Sequence, residues 1–159
     1  MPLRLTVALT ALAFAAAVPA FAQSPSPAPA PAQPAAPSGS AQVPGYPAVT
    51  VLSTGTTVAG EPIRYAQDGN AHVTATIITL APGARGALHK HGVPMFAYIL
   101  DGEITVDYGP KGKRTYKKGD ALMEAMDVAH FGQNTGTEPM RLIAVYMGSD
   151  RAQDVIPVH

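Results

Sequence analysis

The run Met95-Phe-Ala-Tyr-Ile-Leu100, the pair Asp101-Gly102 and the run Glu103-Ile-Thr-Val-Asp-Tyr108 decide the fold. Two stretches rich in aromatic and β-branched residues flank an Asp-Gly pair, the strongest short-range signal for two antiparallel strands joined by a tight turn. Upstream, Ala71 to Leu80 is β-branched along most of its length and stops at Pro82-Gly83, which reads as a further strand and turn. Downstream, Lys113 to Lys117, Ala121 to Ala125 and Arg141 to Met147 are strand candidates, separated by Gly109-Pro110, Gly119-Asp120 and Asn134-Thr-Gly136. No window offers a capped amphipathic helix of ten or more residues. Many short strands at regular spacing predict an all-β sandwich or barrel, for which about 100 residues suffice.

The rest of the chain belongs to a different physical class. Of its 159 residues, 11 are basic and 11 acidic, but after Arg4 the next charge is Glu61. Residues 1–22 carry one basic residue, the apolar run Leu5 to Val18, Pro19 and the small-residue ending Ala20-Phe21-Ala22. That is the layout of a secretory signal peptide cut after Ala22, and it predicts a periplasmic or secreted protein. An uncleaved anchor fits less well, because alanine dominates the run and Pro19 interrupts it, so no stable membrane anchor is expected. Residues 23–48 are rich in proline and alanine and uncharged, a composition that buries no core and predicts a disordered, extended spacer. The folded domain is therefore expected over 49–150, with 151–159 as a C-terminal tail. Without Arg4 ten basic residues face eleven acidic ones, a balance that argues against a nucleic-acid partner. The absence of cysteine excludes disulfides, a thiolate metal site, a cysteine nucleophile and a lipid-modified N-terminus.

Five histidines are present, at 72, 89, 91, 130 and 159. His89 and His91 are two apart, so on a strand both imidazoles point to one face. Two rings converging inside a barrel each need partners for both nitrogens, and a metal would satisfy one nitrogen of each. By spacing alone, two exposed histidines around Lys90 fit as well. The surroundings go further. Gly83 stands six before His89, Gly102 closes the following strand, and Gly119, His130 and Asn134 punctuate a second block. This pattern resembles the cupin superfamily. Its first motif is G-x5-H-x-H, three or four residues, a glutamate, six residues and a glycine, and its second is G-x5-P-x-G-x2-H-x3-N. The resemblance covers roughly residues 71–147 and implies a double-stranded β-helix, the cupin jelly-roll barrel. It further implies a divalent metal (Zn, Mn, Fe, Ni or Cu) held by His89, His91 and His130, a small-molecule ligand or substrate, and a homodimer as a frequent assembly.

Two departures bear on chemistry. Met95 occupies the glutamate position of the first motif, and Ala125 and Asp127 replace the proline and glycine of the second. A glutamate would supply a hard anionic oxygen, whereas a thioether is neutral and soft and prefers copper(I). Met95 then either lines the pocket of a three-histidine site, binds the metal itself, or marks a pocket that has lost its metal and serves as a plain cavity. Glu124, six before His130, is the candidate substitute carboxylate. An uninterrupted strand would put the two on one face, but the turn implied by Met126 to Val128 breaks that parity, and an exposed or salt-bridged glutamate is the commoner outcome. Facing the cavity, Glu124 would serve as general base or fourth ligand. His72 reads as a surface residue, His159 as a frayed end, and Phe96 and Tyr98 as core or subunit contact. Lys111, Lys113, Arg114, Lys117 and Lys118 read as a solvated basic loop. Two functions follow from the resemblance: an exported metalloenzyme of dioxygenase, isomerase or lyase type, and a non-catalytic module that captures a metal or small ligand.

Overall fold

The structure is a computed structural model and describes Gly45 and residues 47–159. The expected export signal, 1–22, and all of the expected spacer except Gly45, Pro47 and Ala48 lie outside the described residues. Among the described residues there are nine strands and one 3-10 turn, and no α-helix. The strands are β1 (Ala71–Leu80), β2 (His89–Lys90), β3 (Met95–Asp101), β4 (Glu103–Asp107), β5 (Lys113–Lys117), β6 (Ala121–Met123), β7 (Phe131–Gln133), β8 (Met140–Ser149) and β9 (Ile156–Pro157).

One sheet has the antiparallel order β1-β8-β3-β6, with β1 and β8 paired over ten residues from Ala71↔Ser149 to Leu80↔Met140. The second sheet has the order β5-β4-β7. Isolated bridges Arg85↔Gln133 and His89↔His130 carry it on to the segment leading into β2, which pairs with β9. Alternation sets what lies between the sheets. Met95, Ala97 and Ile99 of β3 and Met140, Leu142, Ala144 and Tyr146 of β8 are buried, joined by Ile104 and Val106 of β4 from the opposite sheet. Each of the buried valine, leucine, isoleucine and methionine side chains contributes about 1.5–3 kcal/mol.

The Asp-Gly pair does not make the expected hairpin. β3 pairs with β6 and β8, and β4 pairs with β5 and β7, so the chain changes sheets at Gly102. Gly102 has φ +69°, and a Cβ there would stand 3.0 Å from the Met140 Cα and the Pro139 oxygen. The corner therefore packs directly against the start of β8, a long-range contact that the local turn signal cannot report. The tight hairpin lies one step later, between β4 and β5, around the 3-10 turn Gly109–Lys111.

The C-terminal residues also differ from a free tail. After β8 the chain turns back so that Ile156 and Pro157 pair with Lys90 and His89. The basic residues expected on a loop lie mostly along β5 and are exposed, with Lys113 3.1 Å from Asp107, Lys117 3.7 Å from Glu103 and Lys118 3.0 Å from Asp101. Such surface pairs contribute at most about 1 kcal/mol each.

Candidate metal centre

The backbone brings the three central histidines together. The His89 N–H donates to the His130 carbonyl at 3.0 Å and the His130 N–H donates back to His89 at 2.9 Å, so this bridge fixes the two residues opposite one another. His91 follows two residues on, and its N–H donates to the Met126 carbonyl at 3.2 Å. Ring centroids lie 4.6 Å apart for His89 and His130, 4.9 Å for His89 and His91, and 5.1 Å for His91 and His130. One potential ligand atom from each of the three falls within 4.8 Å of the other two.

Each ring is oriented by a backbone carbonyl at Nδ1. His89 donates to Ala87 at 2.8 Å, His130 to Val128 at 2.8 Å, and His91 to Asp154 at 3.0 Å. A carbonyl can only accept, so Nδ1 carries a proton in all three rings, and in a neutral ring Nε2 is then a free lone pair. Burial holds His89 below the usual histidine range, and burial with the neighbouring His130 and His89 lowers His91 to about 4, so His91 is neutral at neutral pH. Its Nε2 is buried with no hydrogen-bond partner. An orphaned buried lone pair is costly, by about 1–3 kcal/mol, unless something electron-poor meets it. Three imidazoles with carbonyl-locked Nδ1 atoms fit a divalent ion, since this is the second shell that metal-binding histidines ordinarily carry.

Of the outcomes open to Glu124, exposed, salt-bridged or facing the cavity, exposure is excluded. It is 5% exposed and lines the same cavity as the histidines, with Oε2 4.0 Å from His130 Nε2 and Oε1 accepting the Ala125 N–H at 2.8 Å. Its own N–H donates to the Met95 carbonyl at 2.8 Å. A carboxylate thus stands one strand across from the motif position that Met95 occupies. Met95 is buried and lines the cavity beside the histidines. Asn134 and Gly83, matched to the two motifs, are structural: Asn134 donates to the Leu80 and Glu138 carbonyls, and its own carbonyl accepts the Gly83 N–H. His72 and His159 are exposed and outside the cluster. Phe96 and Tyr98 face away from the cavity on the outer side of β3.

Several residues of the site left no local signal. Tyr146 packs against His91 with ring centroids 5.6 Å apart; it alternates in phase with Leu142 and Ala144, which could have placed it inward. Tyr108 is 1% exposed, and its hydroxyl stands 3.3 Å from that of Tyr116; burial, with Glu124 nearby, raises both phenols. Glu61 anchors the turn whose proline and glycine are absent: its carboxylate accepts the Met126 and Asp127 N–H groups, both at 2.9 Å, and the Thr57 hydroxyl at 2.7 Å. Partial burial by itself would raise its pKa, but the hydroxyl and backbone bonds outweigh burial and leave it below the ordinary 4.5. A depressed folded value means that this stabilisation is complete above 4.5 and is lost as pH falls through the lower folded value. Acid titration of Tm is expected to show this loss, and Glu61→Gln to flatten the slope; an unchanged slope would remove Glu61 from this role.

A two-sheet β domain with a histidine cluster held inside it is the class of protein that fold and site define together. Residues 76–146 match the cupin domain family. No curated protein matches the sequence. Among solved structures, the polyketide cyclase RemF from Streptomyces resistomycificus is 17% identical, with 55% of this chain and 61% of that chain covered and a TM-score of 0.48. An oxalate decarboxylase of Bacillus subtilis with Mn(II) centres is 23% identical, with 54% and 24% covered and a TM-score of 0.45. The oxalate decarboxylase of Lactobacillus farciminis, solved as a formate complex, is 24% identical, with 54% and 26% covered and a TM-score of 0.46. The chain therefore spans about a quarter of the length of these decarboxylases and 61% of the cyclase.

Proposed function

We propose that this is an exported cupin protein that binds a divalent metal through His89, His91 and His130 and acts on a small molecule as a metalloenzyme of dioxygenase, isomerase or lyase type. The buried Nε2 of His91, without a partner and flanked by two further rings, carries the reading. When bound, a divalent ion supplies Lewis acidity and open coordination positions. The chain's own groups do the rest. The carbonyls of Ala87, Asp154 and Val128 hold the three rings in the tautomer that offers Nε2. The Glu124 Oε2, 4.0 Å from the His130 Nε2, supports a role as general base that takes up or returns a proton. Imidazole nitrogen suits zinc, iron, nickel and copper, whereas manganese prefers oxygen and would draw on Glu124 as a further ligand.

Met95 lines the cavity in this reading and does not bind the metal. Met95→Gln is then expected to leave metal content within about twofold of the parent, because a thioether is a weak ligand for the harder divalent ions. Elemental analysis after dialysis checks it; strong loss together with copper as the native ion would make Met95 a ligand. Glu124→Gln is expected to retain metal and lose turnover by ~10²–10⁴-fold. Retention of ligand binding without turnover by the parent protein itself would favour the non-catalytic capture module.

Export and assembly belong to the same reading. The signal layout of residues 1–22 supports a periplasmic or secreted location, to be tested by mass analysis of the mature N-terminus, where a residue other than Gln23 would contradict the cut after Ala22. The outer face of the β1-β8-β3-β6 sheet supports a homodimer: Val73 and Ile77 are 62% and 55% exposed, and Phe96, Tyr98, Ile143 and Val145 are only partly covered. A contiguous apolar face of this kind marks an interface, and sedimentation as a monomer at micromolar concentration would contradict it.

A further inference from the structure

The cavity beside the histidines has a volume of about 160 Å³. Its walls come from both sheets and are mainly aliphatic: Leu80, Ala97, Ile99, Ile104, Leu122 and Leu142 among them. The three histidines and Glu124 cluster together in this lining, to which Tyr116 and Tyr146 also contribute. No lysine or arginine lines it. Arg85, adjacent in sequence to the lining Gly86, has its guanidinium stacked 4.5 Å over the Phe131 ring. Arg114 lies over Tyr108, 6.0 Å from the ring centroid, and does not line the cavity.

Size and chemistry together restrict the occupant. An apolar cavity of about 150 Å³ accepts one benzene ring, so the space beside the histidines takes one six-membered ring or an aliphatic chain of similar bulk. An anion could meet positive charge only at the ion proposed for the histidine end; elsewhere the chamber is aliphatic, has no cationic side chain in its lining, and already holds the buried Glu124 carboxylate in its wall. Tyr146 and Tyr116 add phenol groups to the lining, and a phenol is an O–H donor at neutral pH.

We infer that the cavity selects a neutral, predominantly apolar small molecule of single-ring size, seated among Leu80, Ile99, Ile104 and Leu142, with one polar atom directed to the histidine end. The inference rests on the reading of this cavity as the substrate site, and it disfavours small dicarboxylates as substrates. A single hydroxyl or carbonyl on the ligand meets the histidine cluster and Tyr146, while its hydrocarbon body replaces water against the aliphatic walls.

Calorimetric titration of the mature full chain, with metal content measured on the same sample, tests this with phenol, 1-naphthol and oxalate as probes. Phenol is expected to bind at least tenfold more tightly than either of the others. Ala97→Leu, which narrows the chamber, is expected to weaken phenol binding at least tenfold with the metal content unchanged. Ile99→Ala, which widens it, is expected to shift the preference toward 1-naphthol. Oxalate binding as tight as phenol, no phenol binding by the folded parent chain, or phenol binding indifferent to both variants would overturn the inference. Loss of metal with phenol selectivity intact would instead count against the metal reading alone, since the aliphatic chamber would still be recognising its ligand.

Discussion

His91→Ala is expected to abolish metal retention. His91 is the ring whose Nε2 is buried without a hydrogen-bond partner, and burial keeps it in the neutral, metal-binding form. Loss of an outer-shell partner alone costs a metal site about 10–100-fold in affinity, and loss of a ligand is expected to exceed that. Two rings would remain, with the Glu124 carboxylate 4.0 Å from the His130 Nε2 as a nearby oxygen, a different donor type from the lost imidazole. The same variant has a thermal signature. A ligand that binds only the folded state stabilises it by ~2.7 kcal/mol when present at 100 times its Kd. Chelation is therefore expected to lower the Tm of the parent chain and to leave that of His91→Ala unmoved. Equal metal content in the two proteins after dialysis would remove His91 from the ligand set.

Gly92→Ala is expected to damage stability and metal affinity together, although residue 92 offers no ligand atom. A Cβ at this position would overlap the backbone oxygen of Gln153 and press on the Ile156 side chain at 3.3 Å. The opposing atom is backbone, so the C-terminal segment must move. That segment carries the Asp154 carbonyl, which orients His91, and the β9 residues that pair with β2. Overpacking of this kind costs about 1–3 kcal/mol, or roughly 4–8 °C in Tm for each kcal/mol in a domain of about 100 residues. Displacing Asp154 removes the outer-shell partner of one ligand, for which a loss of ~10–100-fold in metal affinity is expected. Gly55→Ala is the control, because nothing lies within 4 Å of its Cβ and its φ is ordinary. Differential scanning calorimetry with metal titration separates the two; Gly92→Ala indistinguishable from Gly55→Ala would refute the coupling of the C-terminal return to the site.

Six of the nine strands were readable in the sequence because alternation and β-branched content are local properties; β2, β7 and β9, two or three residues each, are too short to carry such a pattern. Ala71–Leu80 and Lys113–Lys117 coincide with their expected bounds, and the other four candidates differ at their ends by a few residues. The histidine cluster was readable for a different reason, since two spaced motifs report one site. What escaped was every feature set by distant chain. Asp101-Gly102 carries a genuine hairpin signal, yet whether the strand beyond it stays in the sheet depends on Pro139 and Met140 filling the corner. The orientation of Glu124 could not be read by counting, because Met126 to Val128 interrupts the alternation; the turn itself is held by Glu61, 65 and 66 residues away from Met126 and Asp127. Asp154 reaches His91 across 63 residues, from a segment with little apolar patterning. The substitution at position 95 looked like the loss of a carboxylate. In the folded chain Glu124 lies one strand across from it, which only the pairing of β3 with β6 makes visible.

The most direct test is elemental analysis of the chain purified from its native compartment, without added metal. A three-histidine centre predicts close to one divalent ion per chain in the parent and none in His91→Ala. Less than about 0.1 ion per chain in the parent, an order-of-magnitude threshold for site-specific binding, would contradict it.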